Sequence, residues 1–585
     1  DSQVCATPPK PAKRQRRPTD PPVSHSQASQ QRAKPDSQTP TRRAMGQDED
    51  LEKLMGHLGE FGTYQMIQFS LHILAAMTAG VHMLSLVTVA AVPSHRCAIP
   101  EIGENDTKLW NDTYLGHDPE YLHLYIPLGK NGLPDSCHIV DPDTNVTSSC
   151  ERWVYDTTYY KSSRGMEWNL VCEERWKGSI AQSSYMFGVF TGAVTLGSMA
   201  DSYGRKTIFY ISAILQLVLG VGVAFVPEYY FFLVITFLYG IFGSAGSYIT
   251  GFVLTMEIVG ASKRTACGIT FQAMFAFGVM LVAFWGFIIE DRVWLQVVYG
   301  AHSALLLFHW WLIDESPRWL WSQGRISEAV SIVDRAVKLN GGEPIDKAHY
   351  ISRGKARSAS AEDQSYSVLD MFRTPKLRLK SLNVCLNWFA NSLVYYGLSL
   401  NTGSLAGNPY FILFVMGVIE MPSYILSVIF LDKAGRRCLT ASFLLVGGLA
   451  CLIAAFTPKG STLTTSIVFV GKFCIAGSFA IIYNYSAEMF PTVIRNTALG
   501  VGSMCARLSA ALTPLITLLD SFDARVPTVL FATVALVSGF LTTLLPETLN
   551  QPMPQSLDDG EHFGEGDTCF TTGCFGSGRK RSPVP

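Results

Sequence analysis

Along the chain, long uncharged apolar runs alternate with short charged stretches. TIFYISAILQLVLGVGVAFV at 207–226 and TACGITFQAMFAFGVMLVAFWGFII at 265–289 carry no Asp, Glu, Lys or Arg. A helix rises about 1.5 Å per residue, so roughly 20 such residues cross the hydrocarbon of a bilayer. Twelve runs reach that scale, at 65–92, 178–199, 207–226, 230–256, 265–289, 293–313, 381–402, 409–431, 438–456, 462–487, 497–519 and 526–545. The pattern therefore predicts an all-α polytopic membrane protein with 12 transmembrane helices.

Composition agrees: 48% of the 585 residues are hydrophobic, 16% are charged, and the mean hydropathy is +0.21. The net charge of -1 says little, whereas its placement orients the chain. Lys and Arg gather after the second, fourth, eighth and tenth runs and in the long central loop, so those loops and both termini are expected in the cytoplasm. The loop at 94–177 is then extracellular. It holds Cys97, Cys137, Cys150 and Cys172, and N-x-[ST] sequons at Asn105, Asn111 and Asn145. Two disulfides in one of three pairings and a glycosylated, oxidising face are expected there.

These boundaries give a disordered cytoplasmic N-terminal tail at 1–60, a six-helix half at 61–313, a cytoplasmic central loop at 314–380, a second half at 381–546 and a cytoplasmic tail at 547–585. The N-terminal segment is polar and Pro-rich, and its basic tract KRQRR is read as a solvated tail without nucleic-acid binding. MGQDEDLEKLM, opening at Met45, is read as the functional start.

The two halves answer each other at a constant offset. GSMADSYGRK holds Asp201, Gly204, Arg205 and Lys206; LDKAGRR holds Asp432, Gly435, Arg436 and Arg437, and Asp432 follows Asp201 by 231 residues. Glu257 and Arg264 in MEIVGASKR recur at the same offset as Glu488 and Arg495 in AEMFPTVIR. Glu315 and Glu547 make a third pair, 232 apart. Such a repeat marks transporters whose halves rock about a site near the bilayer midplane. Gly permits the tight turn between two spans, Asp is expected to pair with basic residues across the half interface, and the seven-residue Glu-to-Arg spacing to place both on one helix face.

GSMADSYGRK and its echo resemble the signature loop of the major facilitator superfamily. With DESPRWL, AEMFPTVIRN, LPETLNQPMP and the Cys-rich first loop, they are similar to solute carrier family 22, the organic cation, organic anion and carnitine transporters, above all to its carnitine-type and invertebrate organic-cation-transporter-like members. The resemblance covers about 50 to 560. It implies the major facilitator fold, alternating access, a plasma-membrane location, a small organic ion as substrate and room for a coupling ion. One departure is Val428, where the first half has Gly197, which questions close packing there.

The resemblance also assigns a pocket: Trp388, Tyr395 and Tyr396 in the seventh span, Phe479 and Tyr483 in the tenth, Phe275 and Gln272 in the fifth. Aromatic faces attract desolvated organic cations by about 1–2 kcal/mol. Arg507 in the eleventh span and Glu420 in the eighth are ionisable residues deep in apolar runs, where a charge costs about 3 kcal/mol on insertion scales. Cation-selective relatives resemble one another in carrying Asp where this chain has Arg507, and anion exchangers tend to Lys where it has Tyr424. Glu420 is expected either to pair with a Lys or Arg or to contact the substrate, and Lys472 lies nearer the outer half of the tenth span; Arg507 is expected to clamp a substrate carboxylate, which favours zwitterions, whereas neutralisation of Arg507 by Glu420 would admit simple amines, with organic anions third. No G-x-S-x-G, H-E-x-x-H, Walker A or C-x-x-C motif occurs, so no enzyme, ATP pump, cofactor or metal site is expected. His72 and His82 are read as packed polar residues, and a channel is disfavoured because no pore loop repeats.

Overall fold

The computed structural model describes residues 50–99, 124–128, 135–358, 368–458 and 460–572. Among the described residues, twelve helical segments build the bundle. In the first half they are α1 (Thr63–Val89), α2 (Arg175–Tyr203), α3 (Arg205–Gly222), α4 (Tyr229–Ile258), α5 (Arg264–Ile288) and α6, which runs as Arg292–Ala301, Ala304–Leu307 and His309–Leu312. The second half comprises α7 (Pro375–Leu400), α8 (Pro409–Ala434), α9 (Arg436–Phe456), α10 (Thr462–Met489), α11 (Arg495–Thr517) and α12 (Val526–Thr542). Among the described residues, eight of these are long and apolar enough to span by themselves. The rest rely on their neighbours. In α7, Asn387 and Asn391 are fully buried, donate to carbonyls one turn back at 3.0 and 2.9 Å, and Asn387 also accepts from Thr542 of α12. Polar groups inside a membrane are tolerated when satisfied within the protein in this way.

The repeat is visible in the packing. α1 lies on α5 as α7 lies on α11, α2 on α4 as α8 on α10, and α3 on α6 as α9 on α12; the halves meet where α2 faces α11 and α5 faces α8. Close approach is achieved differently in each half. A Cβ on Gly80 would run into the carbonyl of Phe275, and one on Gly278 into that of Met77, so α1 and α5 touch backbone to backbone; Gly188 and Gly240 do the same for α2 and α4. In the second half Gly502 instead receives the Trp388 ring and Gly397 the Phe531 ring. The Val428 departure bears on no packed contact, because a Cβ at Gly197 meets open space and Val428 is itself exposed.

At one end of the bundle, the cap side, the loop after α1 pairs β1 (His95–Cys97) with β4 (Trp153–Tyr155) and β2 (His138–Val140) with β3 (Thr147–Ser149). Cys97 is linked to Cys150 and Cys137 to Cys172, each with Cα atoms 5.6 Å apart, which selects one of the three pairings. Asn145 sits exposed on the turn between β2 and β3, and Asn105 and Asn111 lie outside the described residues.

The opposite, charge-cluster side carries the repeated motifs. Arg205 reaches Asp201 at 3.0 Å and Glu257 at 3.2 Å; Arg436 reaches Asp432 at 3.1 Å and Glu488 at 3.0 Å. Glu315 accepts the backbone N–H of Lys206, and Glu547 those of Arg436 and Arg437, so each caps the helix that follows the motif. These clusters close within one half each, and not across the half interface. The expected shared helix face for Glu257 and Arg264, and for Glu488 and Arg495, is not formed either. α4 ends at Ile258 before Gly260, and α10 ends at Met489 before Pro491, so each pair straddles an interhelical turn.

Two tail boundaries also shift. Residues 50–56 are helical, and Leu54, Met55 and Leu58 bury against helix Ile326–Leu339, because their i, i+4 spacing makes an apolar stripe within the stretch assigned to a disordered tail. The central loop holds helices Pro317–Ser322, Ile326–Leu339 and Lys347–Ser358, and α7 begins at Pro375, inside the loop as drawn from sequence, since its basic first turns need not enter hydrocarbon.

Gly204 (φ 104°) and Gly435 (φ 86°) occupy backbone regions that only glycine adopts easily, and a Cβ at Gly435 would lie 2.5 Å from Glu547 Oε2. Strain of this kind costs about 1–3 kcal/mol per residue. Gly435→Ala is therefore expected to lower the thermal midpoint in detergent by several degrees, whereas Gly500→Ala, whose Cβ meets open space, should leave it unchanged.

Candidate substrate-binding site

Small residues on α11, Gly502, Ala506 and Ala510, bring it against α7 and α2, and the long side chain of Arg507 extends from among them into a cavity between the halves. Arg507 Nη1 donates to the carbonyl of Ser503 at 3.0 Å and to the Ser503 hydroxyl, and Nε has no partner. Among the described residues no carboxylate pairs with it.

Tyrosines and phenylalanines of both halves surround this guanidinium. Tyr395 and Tyr396 come from α7, Phe479 and Tyr483 from α10, and Phe275 and Gln272 from α5, with Tyr248 from α4 and Met83 from α1. Gln272 of α5 lines the cavity together with Tyr248 of α4 and Tyr483 of α10. Phe252 meets Tyr483 ring to ring at 6.0 Å on the charge-cluster side of the pocket. Tyr396 Oη donates to Met83 Sδ at 3.2 Å across the halves.

Two of the residues expected in the pocket stand behind it. Trp388 is fully buried, donates Nε1–H to Ser486 at 3.0 Å, and stacks edge-on against Tyr483 at 4.4 Å; it holds the wall without lining it. Glu420 is also fully buried and does not meet Arg507. Its carboxylate lies 3.0 Å from Lys472 Nζ and accepts the hydroxyls of Tyr395 at 2.9 Å and Tyr424 at 2.7 Å. Lys472 donates to Ser399 at 2.6 Å, and its ammonium sits 3.2 Å from the centre of the Tyr395 ring. Removing either partner of such a buried pair strands a charge at a cost of about 3–5 kcal/mol. With Glu420 and Lys472 cancelling, Arg507 supplies the net charge of the cavity, and one face of Tyr395 already holds a cation.

Sequence reasoning missed Tyr248, although the repeat points to it: Tyr248 stands 231 residues before Phe479, as Phe252 stands before Tyr483. Tyr248 closes an eight-residue π-helical segment, Ile241–Tyr248, inside α4. Such segments are frequent at functional sites because they re-aim side chains. Pairing of Glu420 with a Lys or Arg was open from the sequence; the structure gives Lys472 as the partner, which no local signal identifies.

Residues 145–556 match the family model "Sugar (and other) transporter". The chain is 36% identical over 538 residues to the organic cation transporter protein of Drosophila melanogaster, covering 89% of this chain and 95% of that one. It is 31% identical over 531 residues to organic cation/carnitine transporter 2 of Homo sapiens, covering 87% and 93%. Among solved structures, the proton:xylose symporter XylE, a major facilitator superfamily protein, shares the fold with a TM-score of 0.54 at 16% identity, over 86% of this chain and 99% of that one.

The division between lining and supporting residues can be measured. Trp388→Phe keeps a ring behind Tyr483 but strands the buried Ser486 hydroxyl, so it should cost about 1–3 kcal/mol of stability in a thermal-shift assay with substrate affinity nearly intact. Tyr483→Ala, which removes the wall itself, should weaken substrate binding several-fold.

Proposed function

From the premise that this chain belongs to the sugar (and other) transporter family and, within it, to solute carrier family 22, and is a transporter and not an enzyme, we propose that it favours small zwitterions such as amino acids, betaines or carnitine-like compounds. The observation that carries this reading is Arg507, a guanidinium without a carboxylate partner among the described residues, facing an aromatic cavity whose other charges pair off. Arg geometry suits a bidentate carboxylate. The substrate's ammonium then rests on the free faces of Tyr248, Tyr396, Phe479 and Tyr483, since Lys472 occupies that of Tyr395. The human relative named for organic cations and carnitine supports the same reading.

Transport proceeds by alternating access, with the motif clusters around Arg205 and Arg436 keeping each half rigid while the halves rock. The Lys and Arg of the loops support an orientation with the charge-cluster side and both termini in the cytoplasm of a plasma-membrane protein and the disulfide-bonded cap outside. A carrier of simple amines is the runner-up, favoured by the aromatic lining. An organic anion exchanger is third, and the coupling ion is left open.

A radiolabelled uptake panel of one amino acid, its matched amine and its matched carboxylic acid tests the substrate assignment. Arg507→Lys should cut amino-acid uptake sharply and Arg507→Ala at least tenfold, with the amine little changed, because truncating one partner of a buried charge pair costs about 2–5 kcal/mol. In Lys472→Met, Glu420 is left uncompensated and uptake of the amine should rise relative to the amino acid. Unimpaired amino-acid transport by Arg507→Ala would leave Arg507 a structural charge.

Orientation is checked separately. Enzymatic deglycosylation of protein from secretory-competent cells should increase gel mobility, and replacing Asn105, Asn111 and Asn145 together by Gln should abolish the change. An unshifted parent band would reverse the assignment of the cap to the outside.

A further inference from the structure

The C-terminal segment is strapped to the charge-cluster end of the second half through one acidic side chain. Thr374 is the N-cap of the 26-residue helix α7, with Pro375 at its first position, yet the Thr374 side chain makes no capping bond. Glu561, from the short helix Leu557–His562, caps it instead. Its carboxylate accepts the N–H groups of Lys376 at 3.0 Å and Leu377 at 2.7 Å, and the Thr374 hydroxyl at 2.5 Å. Lys380 grips the carbonyls of Gly560 and Phe563 at 2.9 and 2.7 Å, and Lys376 pairs with Glu565 at 2.5 Å. Beyond the strap, Asp567 bonds Arg437 of the repeated motif at 2.9 Å and the N–H of Glu547, while Gly560 packs on Pro491 in the turn between α10 and α11. The segment thus ties together the starts of α7 and α9 and the turn into α11.

We infer that Thr374 is a phosphorylation site for a proline-directed Ser/Thr kinase, and that the phosphate displaces Glu561 and releases this strap. The local sequence is Arg373-Thr374-Pro375-Lys376, and Arg373, Pro375 and Lys376 are exposed. The Thr374 hydroxyl oxygen attacks the γ-phosphorus of a nucleoside triphosphate, the bond to the β-phosphate oxygen breaks, the nucleoside diphosphate leaves, and the hydroxyl proton passes to the kinase's base. A phosphoryl group carries a charge of about −1.5 to −2 and three acceptor oxygens. It cannot share a 2.5 Å contact with a carboxylate, and a phosphate is a stronger occupant of a helix N-terminus flanked by Lys376 and Lys380 than the carboxylate now there. Glu561 is therefore a resident stand-in for the phosphate. Access of the kinase in cells rests on the cytoplasmic placement of this face proposed above, which the deglycosylation experiment tests independently.

Full-length protein in detergent is treated with a recombinant proline-directed kinase and ATP, then followed by tandem mass spectrometry and by hydrogen exchange across residues 557–567. The expected result is phosphate on Thr374 and at least a tenfold rise in exchange of that segment, with neither change in Thr374→Ala. Glu561→Gln should raise exchange without kinase and speed the modification of Thr374. The inference is overturned if Thr374 stays unmodified in both parent and Glu561→Gln while a peptide of residues 368–380 is phosphorylated, or if phosphorylated protein keeps the exchange of the parent. Neither readout depends on which solute is transported.

Discussion

Every charge held within the membrane-spanning part of this protein has to be met by another, because solvation is withdrawn there and an isolated ion costs several kcal/mol. Glu420 and Lys472 answer that requirement with each other, two tyrosine hydroxyls and one serine. Three groups, the Lys472 ammonium and the hydroxyls of Tyr395 and Tyr424, hold the Glu420 carboxylate, and it does not meet Arg507. Arg507 meets the same constraint by lying beside a cavity, half-buried, with Ser503 as its hydrogen-bond partner among the described residues. A guanidinium in this condition has donors free to meet an anionic group.

Placement of the cavity follows from the twofold repeat. Residues one offset apart, Tyr248 with Phe479 and Phe252 with Tyr483, come from helices related by the pseudo-twofold axis and converge near it. The first half reaches its tight packing through reciprocal glycines on α1, α2, α4 and α5, and the second through glycine beneath an aromatic ring. That asymmetry assigns the large aromatic side chains, Trp388 among them, to the second half, where they support the charged wall.

The two ends of the bundle are built for different tasks. At the cap side the halves are joined directly: Arg175 of α2 meets Asp520 beyond α11 at 2.5 Å, and Tyr160 of the cap loop lies 5.2 Å from Tyr410 of α8. At the charge-cluster side each half is braced internally, with Arg205 and Arg436 binding two carboxylates apiece and Glu315 and Glu547 capping α3 and α9. Burial raises the pKa of the Glu315 carboxyl above its ordinary value, and the backbone N–H groups it accepts oppose that rise. Short, self-contained clusters of this type stiffen a half without fixing it to the other.

From the sequence alone the number of spans, the two halves, the cysteine-rich loop and the family could be read, because each is a local or periodic property: run length, a constant offset, a motif; the resemblance added Arg507 and five of the rings that line the cavity, Phe275, Tyr395, Tyr396, Phe479 and Tyr483. Tertiary structure decided which charges meet. Asp201, Glu257 and Arg205 converge across three helices of one half, and Glu488 and Asp432 around Arg436 likewise; spacing along the chain had suggested contacts between halves and along one helix. It also decided that Glu420 belongs to Lys472, that Trp388 stands one layer behind the cavity, and that residues 50–58 and 557–567 pack onto the bundle. Pairing of charges on separate helices depends on helix rotation and depth. Those are set by the packing of glycines and rings against surfaces remote in sequence, and a single chain of letters carries no record of them.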